Sequence, residues 1–100
     1  MKATTKKKKT NANTGRKRVT FVCKADPGSE VYLAGSFNRW NPVKRKLSDK
    51  KGNGNFSTIM MLPPGEYEYK FIINGHWSID PECEEWAPNK MGTLNSVIKI

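Results

Sequence analysis

Five side chains in this 100-residue sequence could together form a binding surface: two supply flat apolar rings and three supply hydrogen-bonding groups. Trp40 and Trp77 both stand in polar surroundings, although an indole is usually placed in a core. Lys70 supplies a charged donor, Thr93 a hydroxyl and Asn95 an amide. Brought together, these groups could hold a ligand that has apolar faces and hydroxyls at its edges.

Catalytic chemistry has little support in the sequence. His76 is the only histidine, and no serine or cysteine stands near it in a recognisable nucleophile motif. Glu82, Glu84 and Glu85 would act as acid and base only across a cleft, which one short loop does not provide. No metal-binding or phosphate-binding motif occurs. We therefore expect a protein that is not an enzyme and needs no cofactor or metal.

The net charge of +9 belongs mainly to the amino-terminal segment. Residues 1–18 carry eight lysines and arginines and no acidic residue, whereas the remainder has ten basic and nine acidic residues. So few apolar side chains cannot offset the entropy of ordering the segment. We expect a disordered basic tail over 1–17 and one domain over 18–100. We therefore do not expect a nucleic-acid partner, and weak binding through the tail is the alternative.

Nothing in the sequence predicts secretion or a membrane span. There is no apolar signal region near the start and no run of 18 apolar residues. Cys23 and Cys83, 60 residues apart, are too few for a disulfide scaffold, and a single disulfide between them is the alternative. These observations predict reduced thiols and a cytoplasmic protein.

Alternation of apolar and polar residues, typical of β-strands, dominates the domain. It predicts strands over 19–24, 31–35, 43–49, 56–62, 66–73, 76–80 and 94–100, with a loop over 82–93. Turn residues separate these segments every 8 to 12 residues, as in sandwiches. The predicted fold is an all-β antiparallel sandwich of about seven strands.

The dipeptide Asn74-Gly75 predicts a two-residue type I′ hairpin and so fixes a register. Ile72 then lies opposite Trp77, and opposed residues project from the same side. Lys70 becomes a diagonal neighbour of Trp77, on the face away from the tyrosines of its strand. Because those tyrosines are expected in the core, Lys70 and Trp77 should face solvent.

The last strand is predicted to divide in the same way. Three side chains would share the outer face: Met91, Thr93 and Asn95. The apolar side chains opposite are the better core candidates: Leu94, Ile98 and Ile100. The outer surface suits a sugar, whose C–H faces pack on indoles and whose hydroxyls need donors and acceptors.

Each residue also has an ordinary structural interpretation. Trp40 could cap the sandwich, Trp77 could pack at the hairpin, and Met91 could lie in the core. Trp86 is more naturally a packing residue or a surface anchor. Lys70 alone is an ordinary exposed lysine, so the prediction depends on the set.

Three segments in order carry a resemblance to a known family: "VYLAGSFNRWNP", "LPPGEYEYKFIINGHWSIDP" and "NKMGTLNSVIKI". They resemble the glycogen-binding domain of AMP-activated protein kinase β subunits. They are also similar to the amino-terminal domains of isoamylases and glycogen-branching enzymes, which form carbohydrate-binding module family 48. The similarity covers about residues 18 to 100.

This resemblance implies an immunoglobulin-like β-sandwich that binds α-1,4-linked glucans such as glycogen, starch and malto-oligosaccharides without catalysis. Trp40 and Trp77 match tryptophans that stack on glucose in that family. Lys70 and Asn95 match hydrogen-bonding positions, and Thr93 matches a further polar contact.

Met91 stands where the kinase domains carry a leucine, so the preferred ligand shape is expected to differ. The resemblance also implies a glycogen-metabolising enzyme or a kinase as a partner. A protein-interaction or regulatory module of the same fold is the alternative within this family.

Overall fold

A computed structural model describes residues 15–100. Residues 1–14 of the predicted tail lie outside the described residues. Eight strands follow one another: β1 Lys17–Lys24, β2 Val31–Gly35, β3 Arg45–Lys46, β4 Asn55–Leu62, β5 Glu66–Ile73, β6 His76–Ser78, β7 Glu85–Pro88 and β8 Leu94–Lys99. One 3₁₀ turn, Ser36–Asn38, follows β2. The predicted all-β antiparallel sandwich is confirmed.

The strands form two sheets that face each other across the core. β1 and β4 make a two-stranded sheet, and the order β3-β2-β5-β8-β7 makes the larger sheet, with β6 also paired to β5. β2 occupies one edge of β5, so β8 and β6 follow one another along the opposite edge. The central strand β5 therefore brings the hairpin strand β6 and the last strand β8 to one side of the sheet.

Strict alternation builds the core, because successive side chains of a strand point to opposite faces. In β1, Val19, Phe21 and Cys23 are buried and their neighbours are exposed. Tyr69 of β5 meets Phe21 with ring centroids 5.0 Å apart in an edge-on arrangement, which is favourable for aromatic pairs. Phe71, two residues further along β5, is fully buried.

The hairpin after β5 has the predicted turn and register. Asn74 has a φ of 50° and Gly75 a φ of 85°, the two positive values that a type I′ turn requires. Ile72 pairs with Trp77, and Ile73 pairs with His76. The Asn74 side-chain oxygen also accepts from the Glu30 backbone N–H at 2.9 Å, which ties the turn to the start of β2.

Three expectations about strands are corrected. Glu85–Pro88 forms a strand rather than a loop, because pairing with β8 stabilises a segment too short to show its own alternation. The predicted strand 43–49 is reduced to Arg45–Lys46, since Leu47 bonds back to Val31 and Ser48 bridges to the other sheet. The predicted strand 76–80 ends at Ser78.

Leu94 was predicted in the core and lies outside it. It is 43% exposed, whereas Ile98 and Ile100 pack against the core cluster as predicted. Trp86 projects from the same face as Leu94 and is equally exposed, because the core cluster ends before these positions. None of the elements between residues 15 and 100 is a helix long and apolar enough to cross a membrane.

Candidate functional site

A groove of about 760 Å³ lies on the outer face of the larger sheet. All the residues singled out from the sequence line it: Trp40, Lys70, Trp77, Met91, Thr93 and Asn95. Four residues that the sequence analysis did not single out also line it: Ser36, Glu68, Asn89 and Lys90. The structure thus brings together side chains from β5, β6, β8, the bend after β2 and the hairpin loop between β7 and β8.

The bend that carries Trp40 is held by the side chain of Asn38. Its Oδ1 accepts from the Gly35 N–H at 3.0 Å, and its Nδ2 donates to the Leu33 carbonyl at 3.1 Å. Arg39 and Trp40 then adopt left-handed backbone conformations with φ of 56° and 60°. A left-handed conformation is unfavourable for residues other than glycine and recurs at functional positions.

Phe37, and not Trp40, connects this bend to the core. Phe37 packs against the core cluster with its ring centroid 5.7 Å from that of Phe21. Trp40 is only half-buried and lies outside that cluster. The bend therefore turns one aromatic ring inward and presents the other to the groove.

Trp77 lies opposite Ile72 and is 48% exposed. Ile72 is paired with Tyr32 on its other side, so the three side chains form one row across β2, β5 and β6. Ile72 is buried in this row, although it belongs to the outer face. The indole of Trp77 thus has an apolar neighbour and still keeps about half of its surface in solvent.

Asn89 organises the hairpin between β7 and β8. Its Oδ1 accepts from the backbone N–H groups of Met91 at 2.9 Å and Thr93 at 3.1 Å. Its Nδ2 donates to Thr93 Oγ1 at 2.7 Å and to Asn95 Oδ1 at 2.9 Å. Met91, at the tip, is 87% exposed. Asn89 therefore both closes the loop and bonds three of the predicted binding residues.

Lys70 and Asn95 differ in how much they offer to a ligand. The Lys70 Nζ donates to Thr93 Oγ1 at 3.0 Å and keeps two other N–H groups. Asn95 is only 7% exposed, and its Nδ2 donates to Glu68 Oε1 at 2.9 Å. Asn95 is therefore part of the floor of the groove, whereas Lys70 lies at its surface.

A buried polar cluster on the core side stiffens the sheet under the groove. The Tyr69 hydroxyl donates to Asp80 Oδ2 at 2.7 Å, and the Asp80 N–H donates to Ser96 Oγ at 2.8 Å. Burial, together with the hydrogen bond to Asp80, raises the pKa of Tyr69 well above its ordinary value. Because Tyr69 adjoins Lys70 and Ser96 adjoins Asn95, this cluster fixes the two strands that carry them.

Two of the missed residues had a signal in the sequence. Glu68 stands two positions before Lys70 in an alternating strand, so it had to share the outer face. Asn89 precedes a turn that contains Gly92, where an asparagine side chain commonly bonds the backbone. Ser36 and Lys90 had no comparable signal.

The sequence model of one protein family matches residues 18–100. That family is described as the glycogen recognition site of AMP-activated protein kinase.

Several curated relatives carry the same kind of name. The 5'-AMP-activated protein kinase subunit beta-1 of Sus scrofa is 42% identical over 73 residues, which are 73% of this chain and 56% of that protein. The subunit beta-1 of Bos taurus is 44% identical over 73 residues, 25% of its length. The subunit beta-2 of Homo sapiens is 36% identical over 87 residues, which are 87% of this chain and 30% of that protein. The chain thus spans about half of the first relative and less of the others.

Proposed function

The chain belongs to the family of glycogen recognition domains of AMP-activated protein kinase, and from this premise we propose that it binds α-1,4-linked glucans without catalysis. The ligands are glycogen, starch and malto-oligosaccharides. One observation carries the proposal: Trp40 and Trp77 line the same groove as Lys70 and Thr93. The domain assignment to residues 18–100 is part of the proposal.

The two indoles supply the apolar part of the site. A glucose ring has C–H faces that pack on an indole, and Trp77 keeps the surface that such stacking needs. The groove volume of about 760 Å³ falls within the range of about 300–1,000 Å³ usual for ligand sites. Met91 adds a flexible apolar contact at the rim.

The polar part of the site consists of donors on β5 and in the hairpin between β7 and β8. Lys70 has unused N–H groups, and Thr93 presents a hydroxyl beside it. Asn95 bonds Asn89 and Glu68 in the floor of the groove, and Asn89 in turn bonds Thr93. Since stacking and hydrogen bonds dominate, we expect modest affinity with little dependence on salt.

The composition of the groove supports a role in binding and not in catalysis. Most glycosidases use two carboxyl groups that flank the scissile bond, and among the described lining residues only Glu68 carries one. His76 pairs with Ile73 and so projects from the other face of the sheet.

The names of the relatives support a kinase context for the module. We propose that it works beside a kinase or a glycogen-metabolising enzyme, in the cytoplasm. A protein-interaction module without glucan affinity is the competing function, since large hydrophobic side chains such as Val22, Ile59 and Met61 are exposed on the smaller sheet.

A titration with β-cyclodextrin or maltoheptaose, followed by tryptophan fluorescence, tests the proposal. Trp77 should report binding directly because it lies half-exposed in the groove. A saturable change is expected. An unchanged spectrum, together with no retention on immobilised glycogen, would leave the protein-interaction function as the better account.

A further inference from the structure

We propose that Asn89 is a positioning residue that fixes the direction of the hydrogen bonds in the groove, so that Thr93 presents its hydroxyl to the ligand as a donor. The ligand in this inference is the glucan of the proposed function, and the inference rests on that function for its binding readout. The direction of the bonds follows from which groups can only donate and which can only accept.

One end of the network is fixed by the backbone. The Met91 and Thr93 N–H groups can only donate, and both point at one atom of the Asn89 amide, at 2.9 and 3.1 Å. That atom must be the oxygen, so the two hydrogens of Nδ2 point the other way. They reach Thr93 Oγ1 and Asn95 Oδ1. Asn89 thereby uses all its hydrogen-bonding capacity within the protein.

The other end is fixed by a carboxylate. Asn95 receives the Asn89 hydrogen on its oxygen, so its own Nδ2 must face Glu68. A carboxylate only accepts, which matches the N–H arriving at Glu68 Oε1. Donation therefore runs in one direction along the floor, from the hairpin backbone through Asn89 and Asn95 to Glu68.

The direction of these hydrogen bonds determines the role of the Thr93 hydroxyl. Its Oγ1 receives one hydrogen from Asn89 at 2.7 Å and one from the Lys70 ammonium at 3.0 Å. A hydroxyl oxygen has two lone pairs, so both are occupied. Its single hydrogen remains and is available to an acceptor oxygen of the glucan. The site then offers donors from both Lys70 and Thr93.

The variant Asn89→Asp tests this arrangement with little change of shape. The aspartate keeps an oxygen for the Met91 and Thr93 N–H groups, so the hairpin should persist. Its second oxygen cannot donate, so the Thr93 hydrogen turns toward it and away from the ligand. We expect about three- to tenfold weaker β-cyclodextrin binding, as for the loss of about one hydrogen bond. The thermal midpoint should fall, because the buried Asn95 Oδ1 loses its donor and faces a carboxylate oxygen instead.

A double-mutant cycle with Thr93→Val separates positioning from general damage. In the wild type, Thr93→Val should weaken binding by a similar factor. In the Asn89→Asp background, it should cause no further loss, because the hydroxyl has already turned away. Equal losses in both backgrounds, or wild-type affinity of Asn89→Asp, would overturn the proposal.

A measurement without ligand keeps this proposal distinct from the proposed function. Hydrogen exchange of side-chain amides by NMR should show slow exchange for Asn89 and fast exchange for the exposed Asn55. Fast exchange at Asn89 overturns the positioning role whatever the ligand does. Failure of the wild type to bind β-cyclodextrin or maltoheptaose overturns the proposed function, even if Asn89 exchanges slowly.

Discussion

The Lys70 ammonium donates to the Thr93 hydroxyl across 3.0 Å and so joins the middle of β5 to the hairpin residue just before β8. The bond connects two parts of the chain that are 23 residues apart. It also places both groups in the groove that Trp40 and Trp77 line. The proposed glucan site therefore depends on sheet pairing as much as on its side chains.

Trp77→Ala should abolish retention on immobilised glycogen while the fold survives. The side chain is about half exposed, so its loss removes a stacking surface and little core packing. Trp86→Ala is the matched control, since Trp86 is 43% exposed but projects from the opposite face of the sheet. Affinity electrophoresis with glycogen in the gel measures both. Equal losses in the two variants would remove the proposed site.

Two substitutions of Trp40 should separate its effect on glucan binding from its effect on stability. Both Trp40→Ala and Trp40→Gly should lose glucan binding, because each removes the indole. The glycine variant should be the more stable of the two by about 1 kcal/mol, since Trp40 has a φ of 60°. Urea unfolding measures the difference, and an alanine variant of equal or greater stability would contradict the inferred strain.

Glucan affinity should change little with ionic strength. Stacking and hydrogen bonds to neutral sugars release few counterions, whereas nucleic-acid binding through basic residues falls by about 10³-fold or more between about 50 and 200 mM salt. Titrations at these two salt concentrations distinguish the alternatives. Binding that falls steeply with salt and is lost when residues 1–18 are deleted would favour the basic tail as the binding element.

Tyr69→Phe should destabilise the domain by about 1–3 kcal/mol. The substitution leaves Asp80 Oδ2 without its hydroxyl donor in a buried position. Chemical denaturation measures the loss, and the residual folded protein should still bind β-cyclodextrin. Tyr67→Phe is the control on the same strand, because its hydroxyl bonds the Pro63 carbonyl near the surface.

Alkaline pH should weaken the fold through Cys23. Burial, with a smaller contribution from the Asp80 charge, raises the pKa of Cys23 from 9.0 to about 11. Above pH 9 the unfolded thiol loses its proton while the folded thiol keeps it, so ionisation favours unfolding. The free energy of unfolding should therefore fall as the pH rises from 9 to 11. Cys23→Ala should show a shallower fall, and an identical slope in both proteins would contradict this cause.

Period-two alternation alone determined most strands and much of the core. Val19, Phe21 and Cys23 are buried together as their spacing predicts, because a strand alternates its faces regardless of its partners. The Asn74-Gly75 turn likewise fixed the pairing of Ile72 with Trp77, since left-handed backbone at both turn residues permits only a tight hairpin. These features follow from local sterics, which a sequence encodes directly.

Only the tertiary structure decided the floor of the groove and the limits of the core. Glu85–Pro88 becomes a strand because β8 pairs with it, and Leu94 stays exposed because the core cluster ends before it. Asn89 acquires its role from hydrogen bonds to Thr93 and Asn95. Pairing partners, coverage by the opposite sheet and donor direction are properties of segments brought together in space, so no local pattern contains them.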